Sequence, residues 1–274
     1  MDEAQQAFQD FERNGWNEVA TEYGKLTEHV TTGVADALLD AARVGPETRV
    51  LDVACGPGWT AAFAAGRQAW ATGIDISEAM VDQATGRFPE LDFRVGSAES
   101  MPLEDASVEA VVSAFGMPHF ADHDAFVAEA NRVLVPGGRI AFASWYPPQA
   151  NPFFGVALGS IAKHGDLNVP LPEGVDMFAW ADEQRCDELL TDAGFGAIDR
   201  VDVPLAVTTD DGVETVVGFL QNASVRSRAL FAAQTASATE AIINEIGQVL
   251  APMYTNGTCT IPLSAFVVSA MKAD

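Results

Sequence analysis

Basic side chains are scarce in this chain. Only 15 Lys and Arg stand against 39 Asp and Glu in 274 residues, a formal net charge of -24. Such a surface repels phosphate backbones, and nucleic-acid binding leans on a basic footprint, so tRNA, rRNA and DNA are not expected as partners. The same charge argues against anionic membrane surfaces. Cysteine is rare too: Cys55, Cys186 and Cys259 make neither a disulfide framework nor a metal spacing, and no metal is expected. No apolar run approaches the ~18 residues of a membrane span. The first residues, MDEAQQAFQDFERNGW, are acidic and polar, unlike a secretory leader. These absences predict a reduced, soluble, cytoplasmic protein that meets neither nucleic acid nor membrane. What is plentiful is apolar residue, 48%, enough for one sizeable core.

The most informative stretch is Val50-Leu51-Asp52-Val53-Ala54-Cys55-Gly56-Pro57-Gly58. β-formers from Arg49 to Val53 break into a glycine turn, and an alanine-rich helix follows to Gly66. Strand, glycine turn and helix form the unit that receives a nucleotide-like ligand at the carboxyl edge of a parallel sheet. Gly56 and Gly58 would let the backbone approach that ligand closely. Asp52, inside the strand, would repel a pyrophosphate but suit an ammonium group. The second strand ends at Asp75, about 20 residues past the turn, where an acid accepts from a ribose diol.

VLDVACGPG, GIDIS, GSAESMPL and RVLVPGGRIAFASW stand in order along Val50 to Trp145. Together they resemble the first, second, adenine-loop and fifth-strand motifs of the class I S-adenosylmethionine (SAM)-dependent methyltransferases. The resemblance is good from Glu47 to Trp145 and looser to the end, where GTCTIPLSAFVVSAMK is similar to the family's last strand. It implies an α/β fold: a Rossmann-like, seven-stranded, mostly parallel sheet with an antiparallel last strand beside strand 6. Helices would cover both faces, with a helical N-terminal cap and lid insertions. One methyltransferase domain would fill 1–274, with the cap at 1–45, the SAM-binding core at 46–146 and an acceptor lid at 147–180. The remainder, 181–274, would complete the sheet around a helical insertion at 210–255.

The resemblance also implies roles. SAM is the cofactor. Asp52 would act by charge near its ammonium; Ala54, Gly56 and Ser113 would make backbone contacts to its methionine part, with Gly58 in the same turn. Asp75 would hold the ribose, with Ile76 beside it. Met80 would pack on the adenine, and Ala98 and Glu99 would line its edge. The family usually has an aspartate where this chain has Ser97, and a hydroxyl accepts there more weakly. Tyr23 would cover the cofactor from the cap, with Trp16 toward the acceptor. Apolar residues of the first 45 positions recur at helical spacing, so several cap helices are expected there, ended by Gly45-Pro46.

Strand 4, Val108 to Ser113, runs into Ala114-Phe115-Gly116-Met117-Pro118-His119, again at a carboxyl edge. Phe115, Met117, Trp145, Tyr146 and Phe153 are the expected acceptor pocket, joined by Trp16. His119 is the best-placed general base for a hydroxyl acceptor; a pocket-lining role is the alternative. Strands are expected at 139–144, 197–205 and 259–271, and helices at 181–193, 213–220 and 227–250. The expected reaction is in-line methyl transfer to a small, fairly apolar metabolite through O, N or C. Two other classes stay open: a SAM-binding protein with lost or exchanged chemistry, and an NAD(P)-dependent oxidoreductase. A small-molecule acceptor is the expected partner, and the reading allows a homodimer.

Overall fold

The computed structural model describes residues 1–273, with the side chains of 24–27 outside the description. A 31-residue helix, α1 (Glu3–Gly33), opens the chain. It starts at a capping box in which Asp2 and Gln5 exchange side chain-to-backbone bonds, satisfying two otherwise orphaned N–H groups. α2 (Ala35–Ala41) follows. The sequence suggested several short helices here; α1 is instead one continuous rod, long enough to lie across the whole sheet edge.

The central region alternates β1 (Arg49–Val53), α3 (Trp59–Gly66), β2 (Trp70–Asp75), α4 (Glu78–Arg87), β3 (Asp92–Val95), β4 (Val108–Ala114), α5 (His123–Val133) and β5 (Leu134–Trp145). The rest comprises α6 (Pro152–His164), α7 (Glu183–Asp192), β6 (Phe195–Thr209), α8 (Gly212–Asn222), α9 (Val225–Ala232), α10 (Ala236–Leu250), the two-residue β7 (Tyr254–Thr255) and β8 (Thr258–Lys272). The sheet order is β3-β2-β1-β4-β5-β8-β6, with β7 paired to β8. β1 to β5 are parallel to their neighbours, and β8 lies antiparallel between β5 and β6.

Side chains alternate across the sheet, so neighbouring residues enter different cores. Val50, Ala110, Val112, Ala141 and Val267 pack with α2, α3, α6, α8 and α10 on one face. Leu51, Val111, Ile140, Phe142 and Val268 pack with α5 and α7 on the other.

Most element boundaries shift by one or two residues from the sequence expectation, and three differ more. β5 begins at Leu134 rather than Arg139; Pro136-Gly137-Gly138 is absorbed as an irregularity in the pairing with β4. β6 extends to Thr209 because β8 pairs with it all the way to Thr209 opposite Cys259. The long helix expected over 227–250 is two, because the Thr235 side chain accepts from the Ala238 N–H and starts α10 afresh.

Candidate functional site

The glycine turn after β1 is held by carboxylates. Asp52 is buried, and its Oδ2 accepts the Ala61 N–H of α3 at 3.0 Å. Its Oδ1 has no hydrogen-bond partner among the described residues. Burial pushes its carboxyl up to about 8; the Ala61 N–H opposes this and the nearby Asp75 charge adds to it. Asp52 does not line a cavity. It anchors the start of α3 through the Ala61 N–H, where the sequence had assigned its charge to the ligand's ammonium by way of the turn backbone or a water.

The two glycines also part company. Gly56, at φ +50°, borders a cavity, and a Cβ there would meet nothing nearer than Tyr23 at 3.9 Å. Gly58, at φ +87°, is not on that wall; a Cβ there would sit 2.8 Å from Phe93 and 3.1 Å from Ala84. Gly58 is therefore required by packing and by its left-handed backbone, not by ligand approach. Ala54 takes φ +56° without being glycine, and it does line the cavity.

Asp75 ends β2 at the centre of the site. Its Oδ2 accepts the Gly56 N–H and its Oδ1 the Ser77 N–H, both at 2.9 Å. Burial raises its carboxyl above the usual range, against the pull of those N–H groups and of His119. Ser77 caps α4, its side chain accepting the Met80 N–H, and its hydroxyl donates to Asn17 of α1 at 2.7 Å. Ile76, Met80, Ala98 and Glu99 line the same cavity of about 650 Å³ of open space. Ser97 donates to Glu99, and Gln9 of α1 donates to both at 3.2 Å. Ser113 is fully buried off the wall, its hydroxyl unpartnered among the described residues.

α1 closes this cavity from above. Glu12 is 1% exposed. Its Oε2 accepts the Trp16 indole N–H at 3.0 Å and lies 2.9 Å from His119 Nδ1. Its Oε1 has no partner among the described residues. Trp16 stands edge-on to both Tyr23 and His119, with ring centres 5.0 and 4.9 Å away. Neither Gln9 nor Glu12 was singled out from the sequence. The signal was present: an acid four residues before Trp16, inside the stripe of Phe8, Trp16 and Val19 that α1 buries.

A second cavity adjoins the first. Trp16, Tyr23, Phe115 and His119 border both. Trp145, Phe153, Phe154, Met177 and Phe219 build its apolar walls, and Phe115 stacks on Trp145 at 3.8 Å. Of the expected acceptor residues, the structure brings Trp16, Phe115, Trp145 and Phe153 to this chamber. Met117 and Tyr146 are corrections. Met117 is buried in the opposite core, where its carbonyl oxygen lies 2.8 Å from His123 Nε2. Tyr146 follows Trp145 on a strand and so points to the other face; its hydroxyl donates to Asp202 at 2.6 Å. Phe154 lies within the segment expected as the acceptor lid; Thr215 and Phe219 were missed, because α8 joins the site only through tertiary packing.

Among the described residues, no Lys or Arg lines either cavity, which gives a pyrophosphate no cationic partner from them. Glu12, Asp75 and Glu99 give the first cavity a wall of acceptors, which fits a ligand rich in hydroxyl, amino and cationic groups. Among the described residues, no group of three His, Cys, Asp or Glu is placed to hold a metal. No helix among them is long and apolar enough to cross a membrane.

Residues 51–142 match a family model described as a methyltransferase domain. The chain is 31% identical over 199 residues to the demethylmenaquinone methyltransferase of Beutenbergia cavernae, covering 67% of this chain and 82% of that one. It is 31% identical over 172 residues to the protein of the same name in Renibacterium salmoninarum, covering 59% and 72%. Its fold is similar to phosphoethanolamine N-methyltransferase 2 of Haemonchus contortus, solved with S-adenosylhomocysteine. There the TM-score is 0.60 at 16% identity, covering 97% of this chain and 60% of that one.

Proposed function

Since the chain belongs to the class I SAM-dependent methyltransferases and takes SAM as its cofactor, we propose that it methylates a small, apolar metabolite bound in the second cavity. The observation that carries this is the junction of two unlike cavities at Trp16, Tyr23, Phe115 and His119. One is walled by carboxylates; the other, among the described residues, has no Asp, Glu, Lys or Arg. Bound SAM supplies an electrophilic methyl carbon on a sulfonium.

The chain's own residues do the rest. Asp75 accepts from the ribose hydroxyls, with lone pairs left beyond its two turn bonds. Ile76 and Met80 pack on the adenine, while Ala98 and Glu99 meet its polar edge. Ala54, Gly56 and the Ser113 backbone receive the methionine part, and Tyr23 covers it. Asp52 contributes through α3 rather than by contact. Trp145, Phe153, Phe154 and Phe219 hold the acceptor and exclude water. Aligning two reactants across a shared boundary supplies up to ~7–11 kcal/mol of the barrier. His119 stands at that boundary as the general base, a role that adds roughly 100- to 10,000-fold for a hydroxyl acceptor. A third cavity shares His119, Met177 and Ser224 and runs between residues 167–177 and α9; it is the acceptor's entry.

The test is transfer of labelled methyl from SAM to a panel of apolar ring compounds, with products read by mass spectrometry. Transfer to apolar compounds and none to charged ones is expected. Efficient methylation of RNA or of a strongly charged metabolite would overturn the assignment of the chamber.

A further inference from the structure

Glu12 is a carboxylate buried under the cap helix without a basic partner of fixed charge. Burying an acid costs several kcal/mol unless hydrogen bonds compensate it. Here one oxygen serves two groups: the Trp16 indole N–H at 3.0 Å and His119 Nδ1 at 2.9 Å. A carboxylate only accepts, and a neutral imidazole carries a single proton. Facing Glu12, that proton belongs on Nδ1. Nε2 then keeps a free lone pair, and it has no hydrogen-bond partner among the described residues. The ring that carries it borders both cavities.

We propose that Glu12 is a positioning residue that sets the tautomer of His119, and that the acceptor presents its nucleophile as an acidic hydroxyl, a phenol or an enol. The assignment rests on the function proposed above. Nε2 takes the hydroxyl proton. The oxygen lone pair forms the bond to the methyl carbon, and the methyl–sulfur pair returns to sulfur as a neutral thioether. The positive charge leaves the sulfonium and appears on the imidazolium, where Glu12 meets it 2.9 Å away. An amine attacks through its own lone pair, and a thiol ionises readily in water near pH 8.5. A buried carboxylate behind the histidine therefore gains rate chiefly for a hydroxyl. Trp16 completes the device: its N–H holds the Glu12 oxygen in place, and its ring edge packs against His119.

The tautomer is read directly from long-range proton–nitrogen spectra of ¹⁵N-labelled full-length protein saturated with S-adenosylhomocysteine. The His119 signals are assigned by their loss in His119→Gln. Wild type is expected to show the Nδ1–H form. Glu12→Ala should lose it, and Glu12→Gln, whose amide oxygen still accepts, should restore it. An Nε2–H form in wild type, or an unchanged tautomer in Glu12→Ala, overturns the proposal. A second arm compares 4-hexylphenol with 4-hexylthiophenol as probes at pH 8.5. At saturating SAM, Glu12→Ala should slow the phenol at least about tenfold more than the thiol; equal losses overturn the hydroxyl assignment. No transfer to either probe by wild type would count against the acceptor chamber itself, while the tautomer, measured without acceptor, still decides the role of Glu12.

Discussion

The two cavities that meet at His119 are built on opposite principles. The first is made from consecutive strand-to-loop junctions between Ala54 and Phe120, with α1 laid over them. Two of its carboxylates are held by backbone N–H groups, Asp75 by Gly56 and Ser77 and Glu99 by Ala121 at 2.7 Å. The second draws residues from α1, α6, α8, β5, β6 and β8, and its walls touch through ring edges and one stacked pair. Directed acceptors on a rigid sheet edge suit a ligand that never changes. A chamber of aromatic rings on inserted helices recognises by shape, and shape can drift without disturbing the cofactor side.

The contrast breaks most sharply at Asp75. Asp75→Ala should lower affinity for SAM by roughly 100-fold or more, since two charge-assisted bonds at about 1.5–3 kcal/mol each are removed, while leaving the chamber's aromatic packing intact. Calorimetry checks it, and an affinity within threefold of wild type would place the ribose elsewhere.

A buried acid on the cofactor side should also make stability depend on pH. With a folded value of about 8 against roughly 3.9 unfolded, Asp52 holds a proton in the native state that the unfolded chain has released. Stability should therefore fall as pH rises from about 4 through 8, by up to ~1.4 kcal/mol per pH unit. Asp75, also raised, adds to the fall. Asp52→Asn removes its own part, so urea midpoints should show the variant gaining about 3–4 kcal/mol on wild type between pH 5 and pH 8. A constant difference across that range would mean Asp52 is charged in the folded protein.

The smallest effect lies on the chamber side. Phe219 meets Phe153 and Phe154 edge-on, with ring centres 4.9 and 5.8 Å away. Phe219→Ala should raise the acceptor KM about tenfold, close to the ~1.4 kcal/mol of one aromatic contact, with SAM affinity unchanged. A matching loss of SAM affinity would erase the division between the two cavities.

The cofactor side was largely legible from the sequence. Local signals specify it: the strand–glycine–helix unit, Asp75 at the end of β2, and Ser77 capping α4, all within about thirty residues. Backbone geometry at such junctions is set by neighbours in the chain, so spacing carries the information. Even there, local reading gave Gly58 and Asp52 to the ligand, whereas Phe93 across the sheet and Ala61 in α3 are their partners. Which strand face a residue takes separated Trp145 from Tyr146, and that depends on register with β8. Gln9 and Glu12 became part of the site only because α1 lies over the sheet edge, more than eighty residues from the loops it touches. The second cavity was legible only in part: Trp16, Phe115, Trp145 and Phe153 were named from the sequence, but what they meet was decided by tertiary structure, because apolar contacts have no preferred spacing along the chain. Sequence alone determined that a SAM site exists and which residues turn the chain there. Only the packed fold decided what stands opposite that site, since hydrophobic burial fixes neighbours in space and leaves no local signature of which neighbours they will be.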